Sequence, residues 1–436
     1  MRFRASQIAA AVGGVLHGPD TWADGASIDS RTLRPGQLFV PIVAARDGHD
    51  FLATAVAAGA TVVLTEREAP GGIAAVRVDD TAVALTRLGA GARDRLEGPV
   101  VGITGSVGKT STKDMTAGVL RRRFVVAASE KSFNNELGVP LTLVNAPDDT
   151  EAAVLEMGSR GRGHIAELCA VARPTVGVVT AVELVHAELM GDLDGIAEAK
   201  AELVEALAAG GTAVLNAADV RVAAMAARTD ATVVTFGDPG ASVRAVDVRL
   251  DDELRATFRL ESDWGGTEVR LGVRGVHQVS NALAAAAVGL VLGIDLGGVA
   301  EGLSDAVLSP WRMDLTTAPS GARVLNDSYN AGPASTEAAL RSLAALGASR
   351  RIAVLGAMAE LGAAGPSEHR RIAAVAESLG IEVVAVGTPE YGVAEVDGVD
   401  EAIEAVGPLG PTDAVLVKGS RVAGLERVAA RLLAPG

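Results

Sequence analysis

The stretch that most limits how this chain can fold is Pro99-Val100-Val101-Gly102-Ile103-Thr104, followed directly by Gly105-Ser106-Val107-Gly108-Lys109-Thr110-Ser111. A short apolar, β-branched run of this kind reads as a strand buried on both faces, as in a parallel sheet covered by helices. The glycines after it let backbone N–H groups close around phosphate oxygens, and a helix beginning at the loop's end adds a favourable dipole. Lys109 is spaced to reach the β- and γ-phosphates, and the Thr110 hydroxyl to ligate Mg²⁺. The strict phosphate-loop pattern asks for glycine where Ile103 stands, so this loop is a variant, tight around Gly105 and Gly108. An ordinary glycine-rich turn would leave the closing Gly108-Lys109-Thr110 without a reason.

The chain alternates strand-like and helix-like runs on either side of this loop, which indicates mainly parallel sheets. Gln37 to Ile42 and Thr61 to Leu64 read as strands, with a helix from Phe51 to Ala58 between them. Ala153 to Leu155, Val176 to Val179 and Thr212 to Leu215 continue the rhythm. Polar–apolar alternation from Val243 to Val273 reads as an antiparallel insertion or edge. Pro310 interrupts a helical pattern and marks a boundary. Strands at Arg351 to Leu355, Glu382 to Val386 and Ala414 to Val417 follow it. At 436 residues the chain exceeds one compact core. Three α/β domains are expected: 1–97, 98–309 with the phosphate loop and a parallel sheet, and 310–436 with a Rossmann-like rhythm.

A formal charge of −15 argues against a sequence-independent grip on nucleic acid or on an acidic membrane. No run approaches the roughly 20 apolar residues of a membrane helix, and Met1 to Ser6 lacks a secretory apolar core. Cys169 is the only cysteine, so no intramolecular disulfide forms, and a cytoplasmic location is expected. Lysine occurs at only five positions, 109, 113, 131, 200 and 418; every other one of the 39 basic residues is arginine. Lysines kept against that bias are candidates for work a guanidinium cannot do, such as point-charge phosphate binding or modification of the amine.

Thr104 to Ser111 resembles the phosphate loop of the Mur ligases, and further matches follow in family order along nearly the whole chain. Asp29-Ser30-Arg31, Pro35 to Val40 and Asp47-Gly48-His49-Asp50-Phe51 resemble the amino-terminal domain that holds the UDP-sugar end of the substrate. Phe133-Asn134-Asn135-Glu136 to Pro140, Glu156-Met157-Gly158 and Arg160 to Ile165 resemble the branch that adds D-alanyl-D-alanine. So do Asp327-Ser328-Tyr329-Asn330 and Val417-Lys418-Gly419-Ser420-Arg421.

The resemblance implies a three-domain ATP-dependent ligase that joins D-alanyl-D-alanine to UDP-N-acetylmuramoyl-tripeptide through an acyl phosphate, working as a monomer. It implies catalytic roles for Lys109, Glu156, His186 and Lys200, and ATP binding by Thr104, Gly105, Ser106, Val107, Gly108, Lys109, Thr110, Ser111, Asn281, Arg312 and Asp327. Mg²⁺ would be held by Thr110, Glu156, His186 and a carbamylated Lys200. Read alone, His186 would be structural and Lys200 a solvated helix residue; Asn281 would cap a helix. Substrate contacts are implied for Ser30, Arg31, Asp47, His49, Asn134, Asn135, Arg160, Tyr329, Asn330, Lys418 and Arg421.

The chain departs from the family pattern at Ala181, Glu183, Gly332 and Ala357, where asparagine, glycine, asparagine and aspartate are usual. A sister ligase adding a single amino acid, folylpolyglutamate synthetase and a silent ATP-binding regulator are the competing readings. The first lacks its Asp-Asn-Pro-Arg motif here, the second leaves Phe133 to Pro140 unexplained, and the third conflicts with intact Lys109, Glu156, His186 and Lys200.

Overall fold

Val100–Thr104 is a strand with every residue buried, hydrogen-bonded in parallel to Ala152–Glu156 on one side and Val176–Val179 on the other. In the computed structural model, which describes residues 1–130, 133–184 and 192–434, these strands lie within a nine-stranded sheet. Val126–Ala128 forms one edge, while Thr212–Asn216 and Thr232–Phe236 extend the other side. The antiparallel strands Val243–Leu250, Arg255–Ser262 and Gly265–Arg274 complete it, as their alternating pattern suggested. The chain leaves Val100–Thr104 first toward one edge and later toward the other. The carboxyl end of that strand is therefore a topological switch point, where open α/β sheets bind ligands.

Helices cover both faces. Gln278–Val291, almost wholly Ala, Val, Gly and Leu after its first turn, packs against the phosphate-loop helix Lys109–Leu120. On the opposite face, Leu193–Glu205 lies close to the sheet because adjacent strands present Gly102 and Gly177 to it. A Cβ on Gly102 would stand 3.0 Å from Leu203, and one on Gly177 would stand 3.2 Å from the same side chain.

The amino-terminal sheet runs Val15–His17, Ala74–Arg77, Val62–Thr65, Leu38–Phe39, Ala26–Ser27, and a separate ribbon pairs Arg2–Arg4 with Trp22–Asp24. Its core is continuous with that of the central sheet. Helix Thr81–Asp94 packs on Gly138–Val144, and one buried apolar cluster runs from Ile8 and Leu85 to Val139 and Leu168. The third sheet runs Asp314–Thr317, Arg323–Asn326, Asp413–Lys418, Arg350–Gly356, Glu382–Val386, Glu395–Val396, with only the first strand antiparallel. Apolar clusters cover both of its faces.

Three local expectations shift. Strand pairing around Gln37 to Ile42 is confined to Leu38–Phe39, and the helix after it opens as a 3₁₀ turn at Gly48–Phe51 before Leu52–Ala57. Pro310 does not end a helix: Leu296–Ser304 stops earlier, and the chain reverses at Trp311 and Met313, both with positive φ. The Asp314 and Asp327 carboxylates accept from the Trp311 and Met313 amides at 2.6 and 3.1 Å, which holds that left-handed backbone in place.

Candidate active site

The phosphate loop is shaped by contacts that only glycine permits. Gly105 has φ +146°, and a Cβ there would meet Thr180 Oγ1 at 1.9 Å. Thr180 uses that hydroxyl to donate to Val107 O at 2.6 Å, and the amide of Asn216 donates to Thr180 O at 2.8 Å. The Ser106 backbone N–H donates to Ala181 O at 2.8 Å, and its hydroxyl exchanges hydrogen bonds with the backbone of Glu183. Thr104, fully buried behind the loop, donates to Met157 O at 2.8 Å.

Lys109 folds back over this loop, donating to Gly105 O at 2.5 Å and Ser106 O at 3.2 Å. Burial lowers its pKa, the Glu156 carboxylate opposes that shift, and Arg312 adds to it. Thr110, the second residue of the helix Lys109–Leu120, donates to Glu156 Oε2 at 2.7 Å. Asn134 donates to the other oxygen, Oε1, at 2.8 Å. Glu156 is the last residue of its strand and 1% exposed, so a buried carboxylate is satisfied on both oxygens by neutral donors.

Lys200 sits on Leu193–Glu205, 2% exposed, at the cavity floor. Burial first, and then the nearby Lys109 charge, push its pKa down to about 7. Among the described residues no acceptor lies within hydrogen-bond distance of its amine. His186 lies outside the described residues. Among those described, no three His, Cys, Asp or Glu side chains converge as a metal cage. The adjacent Thr110 hydroxyl and Glu156 carboxylate are hard oxygen donors, which fit Mg²⁺.

The third domain supplies the opposite wall. Arg312 donates from Nη2 to Thr110 Oγ1 at 2.8 Å and stacks over the Tyr329 ring at 4.3 Å. Lys418, also 2% exposed, donates to Asp327 Oδ2 at 2.5 Å and Asn330 O at 2.9 Å, so its charge is spent inside the fold. Arg421 stacks over Trp311 at 4.8 Å and pairs with Glu426 at the rim. Arg160 and His164 both approach Glu136, at 3.5 and 3.1 Å, and Asn135 Oδ1 accepts from Gly138 N at 2.9 Å.

Of these expected residues, all that the structure describes except Thr104 and Gly105 line one cavity of about 870 Å³ between the central and third domains. Ser30, Arg31, Asp47 and His49 do not. Arg31 forms a forked pair with Asp29 on an exposed surface. Both ring nitrogens of His49 are engaged, Nδ1 with Asp47 at 2.7 Å and Nε2 accepting from Glu66 N at 3.1 Å. Asn281 is not a helix cap. It lies within Gln278–Val291, pressed against Gly108, accepting from Thr112 and donating to Gln278 Oε1 at 2.8 Å. Gln278, Thr180 and His277 are cavity residues that the motif reading missed. The three-residue spacing of Gln278 and Asn281 on one helix face was the available signal.

A family model for the Mur ligase middle domain matches residues 103–289, and one for the Mur ligase glutamate ligase domain matches residues 311–421. The UDP-N-acetylmuramoyl-tripeptide--D-alanyl-D-alanine ligase of Mycobacterium tuberculosis is 41% identical, covering 93% of this chain and 91% of its own. The chain belongs to the Mur ligase family. MurF from Acinetobacter baumannii superposes with a TM-score of 0.89 at 30% identity, covering 99% of both chains. The MurF ligase from Thermotoga maritima, solved in complex with ADP, gives 0.83 at 27%, covering 94% of this chain and 97% of its own.

Within this Mur ligase the departures fall at particular contacts. Ala181 and Glu183 engage the phosphate loop through backbone atoms, so their side-chain changes leave those hydrogen bonds in place. The Glu183 side chain faces a separate cleft of about 320 Å³ beside Gly332, Glu337 and Arg371, and burial raises its pKa. Gly332 precedes helix Pro333–Ala345 in an extended conformation open to any residue. Ala357 offers its carbonyl to Ser420 N at 3.0 Å.

Proposed function

We propose that this chain joins D-alanyl-D-alanine to UDP-N-acetylmuramoyl-tripeptide, consuming ATP and passing through an acyl phosphate. The observation that carries the reading is the meeting of Lys109, Thr110, Glu156 and the third-domain Arg312 in one cavity. The full-length likeness to D-alanyl-D-alanine ligases supports the choice of substrates. In the first step a substrate carboxylate oxygen attacks the γ-phosphorus and ADP departs. In the second, the dipeptide amine attacks the acyl carbon and phosphate departs.

Both steps gather negative charge beside Lys109 and Arg312, which supply fixed positive charge at the cavity wall. Mg²⁺, when bound, would add Lewis-acid stabilisation of the phosphate oxygens. Thr110 and Glu156 would hold it, joined by His186 and by Lys200 as a carbamate. An amine with a pKa of about 7 is substantially neutral near pH 7, as reaction with CO₂ requires. Asn281 would contact the adenine end, and Asp327 would brace the third-domain wall over ATP. Ser30, Arg31, Asp47 and His49 would form the surface for the UDP-sugar. Asn134, Asn135, Arg160, Tyr329, Asn330, Lys418 and Arg421 would face the peptide parts. We read the working form as a cytoplasmic monomer; among the described residues no helix is long and apolar enough to cross a membrane.

Phosphate release from ATP, measured with UDP-N-acetylmuramoyl-tripeptide and with or without D-alanyl-D-alanine, tests the reading. Release that requires both, with the pentapeptide product seen by mass, is expected. Release with a single amino acid and a shorter precursor instead would assign the chain to a sister ligase.

A further inference from the structure

Of the five lysines kept in this arginine-rich chain, Lys113 is one that the phosphate chemistry does not use. It is 2% exposed on Lys109–Leu120, where its ammonium donates to Ser129 O at 2.7 Å and lies 2.7 Å from Asp114 Oδ1. Ser129 is itself buried, and its hydroxyl accepts from the backbone N–H of Glu156 at 3.2 Å. On the other side, Asp114 Oδ2 accepts from both the N–H and the hydroxyl of Ser309, at 2.7 and 2.9 Å. Ser309 belongs to the linker into the third domain, just ahead of Arg312, which reaches Thr110 on the same helix.

One helix therefore holds Glu156 twice, by its side chain through Thr110 and by its backbone through Lys113 and Ser129. It also holds the linker twice, through Asp114 and Thr110. We propose that the Lys113–Asp114 pair is a positioning unit that couples the seating of the third-domain linker at Ser309 to the seating of Glu156. The inference rests on the ligase reading, in which Glu156 is the metal carboxylate. A lysine suits this place because a single compact ammonium serves acceptors on different bearings, Ser129 O and Asp114 Oδ1 among them, which a planar guanidinium fork does not reproduce. Hydrogen-bonded charge networks of this kind transmit displacement because breaking one member leaves buried groups unpaired.

The test is hydrogen–deuterium exchange on full-length protein, with peptides covering Ser309 and residues 153–157, alongside the Mg²⁺ concentration for half-maximal phosphate release. Asp114→Asn and Lys113→Arg are each expected to speed exchange about fivefold or more in both segments and to raise the Mg²⁺ requirement about threefold. Ser309→Ala, which removes only the linker hydroxyl, should shift both segments in the same direction by less, and serves should the other variants fold poorly. Faster exchange at Ser309 with 153–157 unchanged, or an unaltered Mg²⁺ requirement in a chain that turns over, would overturn the coupling. Coupled exchange in a chain that releases no phosphate with the proposed substrates would uphold the coupling and reject the ligase reading.

Discussion

The phosphate-loop wall and the amino-terminal surface use charge in opposite ways. Lys109, Glu156 and Lys200 line one cavity, where Glu156 favours the charged form of Lys109 and Lys109 disfavours that of Lys200. The Asp29–Arg31 pair and Asp47 with Arg67 sit largely in water, where solvent screens them. Arg31 lowers the pKa of Asp29, a local effect with no partner deeper in the fold. The contrast teaches that chemistry is assembled where burial makes each charge costly unless it is matched. The exposed guanidinium of Arg31 rearranges cheaply, and in the proposed function it would meet the UDP-linked substrate.

Removing a buried charge should therefore cost far more than removing an exposed one. Lys109→Ala should reduce phosphate release by about 10³-fold or more, since it takes fixed positive charge from the place where phosphate charge develops. A loss below tenfold in a release assay would place the chemistry elsewhere. Glu156→Gln keeps the shape but removes the anion; activity should fall about 10²-fold with a raised Mg²⁺ requirement. An unchanged Mg²⁺ titration would detach Glu156 from the metal.

Lys200 sharpens the comparison through pH. Its folded pKa of about 7 lies below the ordinary lysine value, so as pH falls the unfolded chain takes up the proton first. The cost to the folded state is absent at high pH, grows as pH falls from about 10.5, and is complete below about 7. Lys200→Met should therefore raise stability in CO₂-free buffer, by roughly 2 kcal/mol or more at pH 7 and by much less near pH 10. Denaturant unfolding at the two pH values checks the sign. The smallest effect is expected at the surface. Arg31→Ala should raise KM for the UDP-linked substrate about tenfold with kcat little changed and thermal unfolding unmoved. A marked drop in melting temperature would mean that Arg31 supports the fold.

Local sequence carried the strand–loop–helix at Val100 to Leu120, because buried β-branched runs and glycine-dependent backbone angles depend on neighbours in the chain. It also carried the β/α alternation at the central strands of each large sheet and the antiparallel character after Val243. It did not carry the linker turn at Trp311 and Met313, whose left-handed backbone is held by carboxylates of Asp314 and Asp327. Nor did it reveal that Lys418 spends its charge on Asp327, or that Arg312 reaches back to Thr110. The bond types were legible in the residues, but the partners lie far apart in sequence.

The same division holds for Lys200. Its place on an amphipathic helix was readable from Ile196 to Leu203, and by that pattern alone it would face solvent. Gly102 and Gly177, on two neighbouring strands, let that helix settle onto the sheet and carry the amine out of water. Sequence by itself determined which chemical groups this protein has and which backbone shapes each segment favours. Tertiary structure alone decided which charges are buried and matched, because desolvation depends on how closely whole elements approach one another.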